Sequence, residues 1–341
     1  MKIEPGCSVQ HSDRRGAWRV AATAAAPLLA MLWSSASAQD KAAAYPSRPI
    51  RMVVGFAAGG GPDIAARLFA PKLGAALNQQ VVVDNRPGAG GSIGEDAVAK
   101  APADGHTLLM CASSLSINPF LYSKLPYDPV RDLTPVSLVG VSAQTLIVLS
   151  SLPVKSVKDL IAIAKQKPGQ LTFASSGNGS GSHLAGELFK AMTRTDLVHI
   201  PYKGGGHGVT AVLSGETIMM FAPLAAALPH VQTGRLRALA VTTGKRSGAA
   251  PDIPTMSEAG VRGYEAFPWY GVLAPSGTPR AIIDVLQNAS TEIIAQPDMR
   301  NKMAMVGIDP DGRGTAEFAR FIKVEMDRWS SVIRSAGLRA N

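Results

Sequence analysis

Two short glycine-rich segments have the composition of anion-binding turns, because each stands between a β-rich run and a helix-like run. The first is "AAGGGPDI", residues 57–64, and the second is "SSGNGSGS", residues 175–182. Backbone N–H groups at the start of a helix have no acceptor within the helix, and the helix dipole adds positive potential there. We therefore expect an anion to bind where these two segments begin their helices.

The residues of these turns favour a carboxylate over a phosphate. A P-loop needs the pattern G-x-x-x-x-G-K-[ST], because its lysine reaches the phosphates and its hydroxyl holds magnesium, and the turns lack it. The dinucleotide pattern needs a third glycine that is missing after Gly61, although Asp84 ends the next β-rich run where a ribose-binding acid would lie. We predict a carboxylate ligand, and a dicarboxylate would bridge the two turns.

The predicted ligand contacts are mainly backbone amides of the turns. One glycine turn alone is explained as a tight strand-to-helix connection, but two at matching places in the chain favour binding. Pro62 suits the first position of a helix, yet it removes one donor. The candidate ligand-binding residues are Gly60, Gly61 and Asp63 in the first turn, and Ser176, Gly177, Gly179, Ser180 and Gly181 in the second.

Four further side chains complete the predicted binding site. Ser113 and Ser114 follow a β-rich run, and they either donate hydroxyl groups to the ligand or cap a helix. We expect the rings of Phe56 and Tyr202 to form walls of the cleft. The carboxyl group of Asp63 either complements the helix dipole or contacts a hydroxyl or amine of the ligand.

Signatures of catalysis and of metal binding are missing from the sequence. The chain has no G-x-S-x-G elbow, no H-E-x-x-H and no clear Ser/His/Asp constellation. We expect His183 to be a packing or capping residue, and His106, His199 and His207 are too scattered to indicate a metal site. We predict no catalytic residue, no metal and no cofactor. A periplasmic hydrolase that uses the same cleft is the alternative.

The two turns occupy matching places in a repeated order of elements. β-rich and helical runs alternate from "IRMVVGF" to "TLLMCAS" and again from "LTFAS" to "TIMMFAP", the βαβαβ pattern of a parallel sheet with helical crossovers. Phe56 and Asn85 are 29 positions apart, as are Phe173 and Tyr202. Two such sheets facing each other would form a cleft at the carboxyl ends of their strands. We expect the first helix to bend or break at Pro71.

The length predicts two lobes, because about 300 residues exceed what one hydrophobic core usually serves. The apolar connector "TPVSLVGVSAQTLIVLSS" and the return strand "RLRALAVTTGKR" are the expected crossings. We predict a first lobe of residues 45–140 and 245–341 and a second lobe of residues 141–244. Two amphipathic helices, at about residues 279–294 and 316–336, are expected to pack on the first lobe.

Residues 1–38 are predicted to be a signal peptide that is cleaved near Ala38. Arg14, Arg15 and Arg19 form a basic start, an apolar run follows, and "ASA" fits cleavage after small residues, so the mature chain is expected in the periplasm. Cleavage changes the net charge from +9 to +7, since 30 Lys and Arg remain against 23 Asp and Glu. Basic clusters with interleaved aromatic residues are absent, so we predict no nucleic-acid partner.

Five segments in order carry a family resemblance: "YPSRPIRMVVGFAAGGGPDIAARLFAPKL", "VVVDNRPGAGGSIGEDAVAKAPADGHTLL", "SSGNGSGSHLAGELF", "IPYKGGGHGVTAVLSG" and "GRLRALAVTTGKR". Together they resemble the Bug family of periplasmic solute receptors, the substrate-binding components of tripartite tricarboxylate transporters. The similarity extends from about Tyr45 to the C-terminus.

This resemblance implies an α/β, two-lobed periplasmic-binding-protein fold of type II-like architecture. Each lobe would be a mostly parallel sheet flanked by helices, with a ligand cleft between the lobes. It also implies a receptor, expected as a monomer, that grips a carboxylate through backbone amides and water, closes at a hinge, and delivers the ligand to a membrane permease. A role as a carboxylate sensor for signalling remains an alternative.

Two departures from the family pattern bear on the ligand. Pro62 stands where the family commonly has Ser or Thr, and Ala222 stands where related receptors often have a small polar or acidic residue, which weakens the case for an amino-acid ligand. Citrate, a dicarboxylate, an aromatic acid and nicotinate-like acids all stay compatible.

Overall fold

The computed structural model describes residues 45–202 and 204–339, so the predicted signal peptide lies outside the described residues. The strands are β1 (Ile50–Val54), β2 (Val81–Asn85), β3 (Thr107–Ala112), β4 (Leu133–Ser142), β5 (Gln144–Leu149), β6 (Leu171–Ser175), β7 (Leu197–Pro201), β8 (Met219–Pro223), β9 (Leu236–Val241), β10 (Trp269–Pro275) and β11 (Ile308–Pro310). The helices are α1 (Gly61–Leu77), α2 (Ser92–Ala99), α3 (Ser114–Leu121), α4 (Val157–Gln166), α5 (Gly181–Thr193), α6 (Gly205–Leu213), α7 (Leu224–Gln232), α8 (Arg280–Ala295), α9 (Pro297–Met305) and α10 (Thr315–Ala336).

Within the described residues the strands form two sheets, ordered β11-β4-β10-β3-β1-β2 and β7-β6-β8-β5-β9. In the first, β1 is parallel to β2 and β3, while β10 is antiparallel to β3 and β4. In the second, β6 is parallel to β7 and β8, while β5 is antiparallel to β8 and β9. Most strands in each sheet therefore share one direction, and the predicted fold class is confirmed. In the first sheet β10 and the edge strand β11 have the opposite direction, and in the second sheet β5 does.

The repeated βαβαβ order is present as two matching units. Strands β2-β1-β3 with helices α1 and α2 form the first, and strands β7-β6-β8 with helices α5 and α6 form the second. The central strands are apolar runs because helices cover both faces of the sheet. Ile50, Met52 and Val54 of β1 and Phe173 of β6 are accordingly fully buried.

The long apolar connector is two strands that belong to different sheets. β4 ends at Ser142 and β5 begins at Gln144, so the chain passes from the first sheet to the second at Ala143. It returns between β9 and β10, through residues 242–268. The two crossings are hydrogen-bonded where they meet the cleft: Thr242 N–H donates to Gln144 O at 2.9 Å, and Ser142 N–H donates to Pro268 O at 2.7 Å.

The lobe boundaries given above remain a prediction. The strands of the first sheet come from residues 50–142 and 269–310, and those of the second come from residues 144–241.

Helix α1 is not broken at Pro71, so of the bend or break expected from sequence, the break is wrong. The helix continues from Gly61 to Leu77 with Pro71 inside it. The proline removes one helical hydrogen bond, but the buried side chains of Phe69 and Leu73 anchor the helix on both sides of it. Tertiary packing thus outweighs the local penalty.

The last helix, α10, packs on more than the first sheet. Its 22 residues contact β4 and α3, as expected, and they also contact α5 beside the second sheet. Trp329, Val332 and Ile333 belong to the same buried cluster as Leu184 of α5. A helix of this length reaches about 33 Å, so its apolar stripe extends past the first sheet. None of the described helices is long and apolar enough to cross a membrane.

Candidate functional site

Helix α1 begins at the carboxyl end of β1, and its first residue is in close contact with the first sheet. A Cβ at Gly61 would overlap the hydroxyl group of Tyr270 from β10, so the position accepts only glycine without a shift of that ring. The N–H groups of Gly61 and Asp63 lie in the first helical turn, where amides have no acceptor within the helix. The N–H of Gly60 donates to Ala57 O at 3.2 Å, so it is used inside the turn.

The carboxyl group of Asp63 organises this turn. It is 2 % exposed, and it accepts hydrogen bonds from the Gly59 N–H at 2.8 Å, from Asn85 Nδ2 at 2.9 Å and from Arg67 Nε at 2.9 Å. Burial alone would raise the pKa of Asp63, but Arg67, the Gly59 N–H and Asn85 outweigh it and lower that pKa. The side chain therefore holds the turn in shape, and its backbone amide is the group that remains for a ligand.

Most amides of the second turn are also used inside the turn. The N–H of Ser176 donates to Ser182 Oγ at 2.8 Å, that of Gly177 to Ser175 Oγ at 3.1 Å, and that of Ser180 to Gly177 O at 3.2 Å. The Ser180 hydroxyl donates to Gly177 O at 2.6 Å and caps α5. Of the donors predicted in this turn, only the Gly181 N–H lies in the first turn of α5. The N–H of Ser182, which was not predicted as a donor, lies there too.

His183 supports this second turn from the first turn of α5. Its Nδ1 accepts a hydrogen bond from the Gly179 N–H at 3.0 Å, and its ring stacks on His199 with centroids 3.8 Å apart. Burial lowers the pKa of both histidines to about 4, so both rings are neutral at pH 7. His183 is thus the packing and capping residue that the sequence indicated.

The N-terminus of α1 lines a cavity between the two sheets, and the N-terminus of α5 packs against two residues of its wall. A Cβ at Gly181 would lie 3.3 Å from Gln144 Nε2 and 3.4 Å from Pro268 Cγ, and both of these residues line the cavity together with Gly61. Its volume is about 220 Å³. The lining residues are Gly61, Ile64, Ser142, Gln144, Pro223, Ala225, Pro268, Tyr270, Val306 and Ile308, none of which has a charged side chain.

Gln144, Pro268 and Tyr270 line the cavity and were missed from the sequence. Gln144 follows the crossing from the first sheet to the second, and Pro268 and Tyr270 are on the return to the first. Burial raises the pKa of Tyr270 to about 12, so its hydroxyl group stays protonated and can donate a hydrogen bond. The only local signal was the polar "SAQT" inside the apolar connector.

Ser114 contacts a buried acid, Glu95. Its hydroxyl donates to Glu95 Oε1 at 3.2 Å, and Tyr127 donates to the other oxygen of Glu95. Burial raises the pKa of Glu95 to about 7, against the opposing effect of these two hydrogen bonds. Ser113 precedes α3 without a side-chain capping bond. The ring of Phe56 lies against Gly91, where a Cβ would come within 2.9 Å of Cε2.

Tyr202 packs into the core beside the second sheet. Its ring contacts the buried cluster that includes Val209 and Val212 of α6. Burial raises its pKa to about 12, with a further contribution from Glu216. The hydroxyl group of Tyr202 is buried without a hydrogen-bond partner among the described residues. The role of the ring as a wall of the cleft stays a prediction.

A second cavity, of about 350 Å³, lies between the turns that follow β2 and β6. It is lined by Gly90, Asn118, Leu121, Tyr122, Asn178, Gly179, His183, Leu338 and Arg339. Gly179 of the second glycine-rich turn lines this cavity. Among the described residues, no group of three or more His, Cys, Asp or Glu side chains is placed to hold a metal ion.

Comparison with known proteins identifies the family. Residues 65–338 match the model of the tripartite tricarboxylate transporter family receptor, TctC. The chain is 40% identical over 297 residues to the protein BugT of Bordetella pertussis, covering 86% of this chain and 91% of that one.

Solved structures agree with this match. The structure described as R. palustris Rpa4515 with adipate has 37% identity and a TM-score of 0.74, covering 86% of this chain and 99% of that one. MatC from Rhodopseudomonas palustris with bound malate has 29% identity and a TM-score of 0.69, covering 85% and 100%. The turns, the cavity and these similarities agree, and this chain belongs to the TctC family of tripartite tricarboxylate transporter receptors.

Proposed function

We propose that this protein is a periplasmic receptor that binds a small carboxylate between its two sheets and delivers it to the permease of a tripartite tricarboxylate transporter. The observation that carries the proposal is that the N-terminus of α1 lines a cavity between the sheets while the N-terminus of α5 packs against the wall of the same cavity. Gly61 lines that cavity, and Gly181 packs against Gln144 and Pro268 in its wall.

The electrostatics of the cavity suit an anion. Each helix N-terminus contributes positive potential and amides without helical acceptors, which together form an anion site. The side chains of the described lining residues are neutral, so no acidic group repels a carboxylate and no basic group is needed to bind it. A ligand with two carboxyl groups would present one to each helix. The adipate and malate of the two structural relatives are both dicarboxylates.

Closure of the two sheets on the ligand provides the signal for the permease. The ligand bridges α1 beside the first sheet and α5 beside the second, so it binds the closed arrangement more tightly than an open one. The crossings at Ala143 and at residues 242–268 are the segments that would bend. A permease that contacts both lobes would then distinguish loaded from empty receptor.

A thermal-shift screen tests the carboxylate ligand. The full-length chain is expressed, recovered from the periplasm, freed of bound ligand by unfolding and refolding, and screened against mono-, di- and tricarboxylates, aromatic acids and amino acids. At a hundred times its dissociation constant, a true ligand adds about 2.7 kcal/mol of stability. Recovery of that ligand unchanged supports a receptor, whereas its consumption would indicate the hydrolase alternative.

The variant Gly61→Ala tests whether the ligand lies at the start of α1. Its methyl group would displace the Tyr270 hydroxyl from the cavity wall, so we expect at least tenfold weaker binding of the best carboxylate by calorimetry. The matched control is Gly206→Ala, because a Cβ at Gly206 meets nothing within 4 Å. Equal affinities of the two variants would place the ligand elsewhere.

A further inference from the structure

The second glycine-rich turn contains two glycines whose backbone is in the left-handed region. Gly177 has a φ of 126° and Gly179 a φ of 72°. Glycine has more conformational freedom than any other residue, so a turn with two of them keeps one shape only if other groups fix it. The turn leads directly into α5, so its shape determines where the amides of Gly181 and Ser182 lie.

Each of these two glycines is fixed by a hydrogen bond that leads to a histidine. The Gly179 N–H donates to His183 Nδ1 at 3.0 Å. The Gly177 N–H donates to Ser175 Oγ at 3.1 Å, and this oxygen lies 2.6 Å from His199 Nε2. Because burial lowers the pKa of both histidines to about 4, both rings are neutral at pH 7. The Ser175 hydroxyl therefore pairs with a neutral ring nitrogen, and the tautomer of His199 decides which of the two donates.

The ring of His199 is held in place by two other rings. It stacks on His183 with centroids 3.8 Å apart, and on Phe173 of β6 with centroids 4.9 Å apart. Phe173 and Ser175 are both fully buried. These contacts restrict the rotation of the His199 ring, so its Nε2 stays directed at the Ser175 hydroxyl group.

The hydrogen bonds continue from Ser175 to the cap of α5. The carbonyl of Gly177 accepts from the Ser180 N–H at 3.2 Å and from the Ser180 hydroxyl at 2.6 Å. The Ser180 oxygen in turn accepts from the His183 N–H at 3.3 Å at the start of the helix. A displacement of Gly177 would therefore move the cap of α5. His199 lies on β7, outside the set of residues that line the 220 Å³ cavity, and this chain connects it to the helix N-terminus.

We propose that His199 is a positioning residue of the ligand site: through Ser175 it holds the second glycine-rich turn in the shape that presents the N-terminus of α5 to the carboxylate. This inference rests on the proposed function, because it assumes that a carboxylate binds near that N-terminus. It adds a residue that makes no contact with the ligand and on which the affinity for the ligand depends.

A double-mutant cycle in ligand affinity tests the connection. The variants are His199→Leu, Ser175→Ala and the double variant, and His199→Met replaces His199→Leu if the leucine variant is not folded. His199→Gln is the conservative variant, because its amide can still hydrogen-bond the Ser175 hydroxyl group. Val198→Leu, at an exposed position of the same strand, is the control.

Dissociation constants are measured by calorimetry at pH 7 for adipate, malate and benzoate, with the refolded wild type and each variant. Urea unfolding of the ligand-free proteins shows whether each variant is folded and how far its stability has changed. A merely structural role of His199 would lower the free energy of unfolding and leave the dissociation constant of the folded protein unchanged.

His199→Leu and Ser175→Ala should each weaken binding of the tightest of the three acids by about five- to tenfold, which is the effect of one hydrogen bond. The double variant should bind no more weakly than either single variant, because both substitutions remove the same connection. His199→Gln and Val198→Leu should stay within about twofold of the wild type.

Three results would overturn the inference while the carboxylate receptor stands. They are additive losses in the double variant, a folded His199→Leu that binds as tightly as the wild type, and a His199→Gln that binds as weakly as His199→Leu. If the wild type binds none of the three acids, the proposed function fails and the inference fails with it.

Discussion

The buried acid Glu95 gives a measurable dependence of stability on pH. It is 1 % exposed in the first turn of α2, with Ser114 and Tyr127 as its hydrogen-bond partners. Burial raises its pKa from 4.5 to about 7. The substitution Glu95→Gln keeps the shape of this side chain and removes its titration.

The sign follows from the protons bound in each state. Between pH 4.5 and about 7 the unfolded chain has released the Glu95 proton and the folded chain keeps it, so the free energy of unfolding falls as pH rises. The contribution of Glu95 to the free energy of unfolding is fully present below pH 4.5 and is lost above about pH 7. One pKa unit corresponds to about 1.36 kcal/mol, and the difference between about 7 and 4.5 then corresponds to about 3 kcal/mol.

Urea unfolding of the ligand-free wild type and of Glu95→Gln is measured at intervals from pH 4 to pH 8, with circular dichroism as the signal. The wild type should lose about 3 kcal/mol relative to the variant across this range. His183 and His199, whose pKa values are lowered to about 4, act in the opposite direction, but their effect cancels in the difference. Glu292→Gln, at an exposed position, should show no such slope. A constant difference between wild type and Glu95→Gln would mean that the Glu95 carboxyl group titrates alike in the folded and the unfolded chain.

Two further substitutions test the second glycine-rich turn of the binding site and the packing of helix α10. We expect His183→Ala to weaken carboxylate binding about tenfold, because the Gly179 N–H loses its acceptor at 3.0 Å and the second turn loosens; calorimetry would show this, and an unchanged affinity would contradict it. His207→Ala, at an exposed histidine, is the control. We expect Trp329→Ala to lower the free energy of unfolding by about 3–5 kcal/mol, because Trp329 is 2 % exposed within the cluster that α10 shares with α5. A loss below about 1 kcal/mol in urea unfolding would contradict the expectation that this cluster stabilises the fold.

The local order of elements could be predicted because each β-rich run and each helical run is continuous in sequence. The strands around Val53 and Phe173 and the glycine turns that follow them are set by neighbouring residues, so the two repeated units were found correctly. The inserted antiparallel strand β10 could not be placed, since its partners β3 and β4 are more than a hundred residues away.

The binding site was predicted less completely, for a specific physical reason. The sequence identified the helix starts at Gly61 and Gly181, but it could not show which amides are already used. That depends on side chains such as Ser175, Ser182 and His183, whose hydrogen bonds to the turn form only in the folded chain. Gln144 was missed because nothing in its immediate neighbours indicates that a sheet crossing brings it to the cavity.

The position of Gln144 connects ligand recognition with closure. It is the first residue after the crossing at Ala143, and its backbone is hydrogen-bonded to Thr242 on the other crossing. In the proposed receptor, a ligand in the cavity lined by Gly61 and Gln144 would contact both sheets and one of the segments between them. These contacts would be complete only when the sheets approach each other, so their free energy would favour the closed arrangement. A ligand that lacks one contact would bind more weakly and would also close the receptor less completely, so selectivity and signalling to the permease would depend on the same few polar groups.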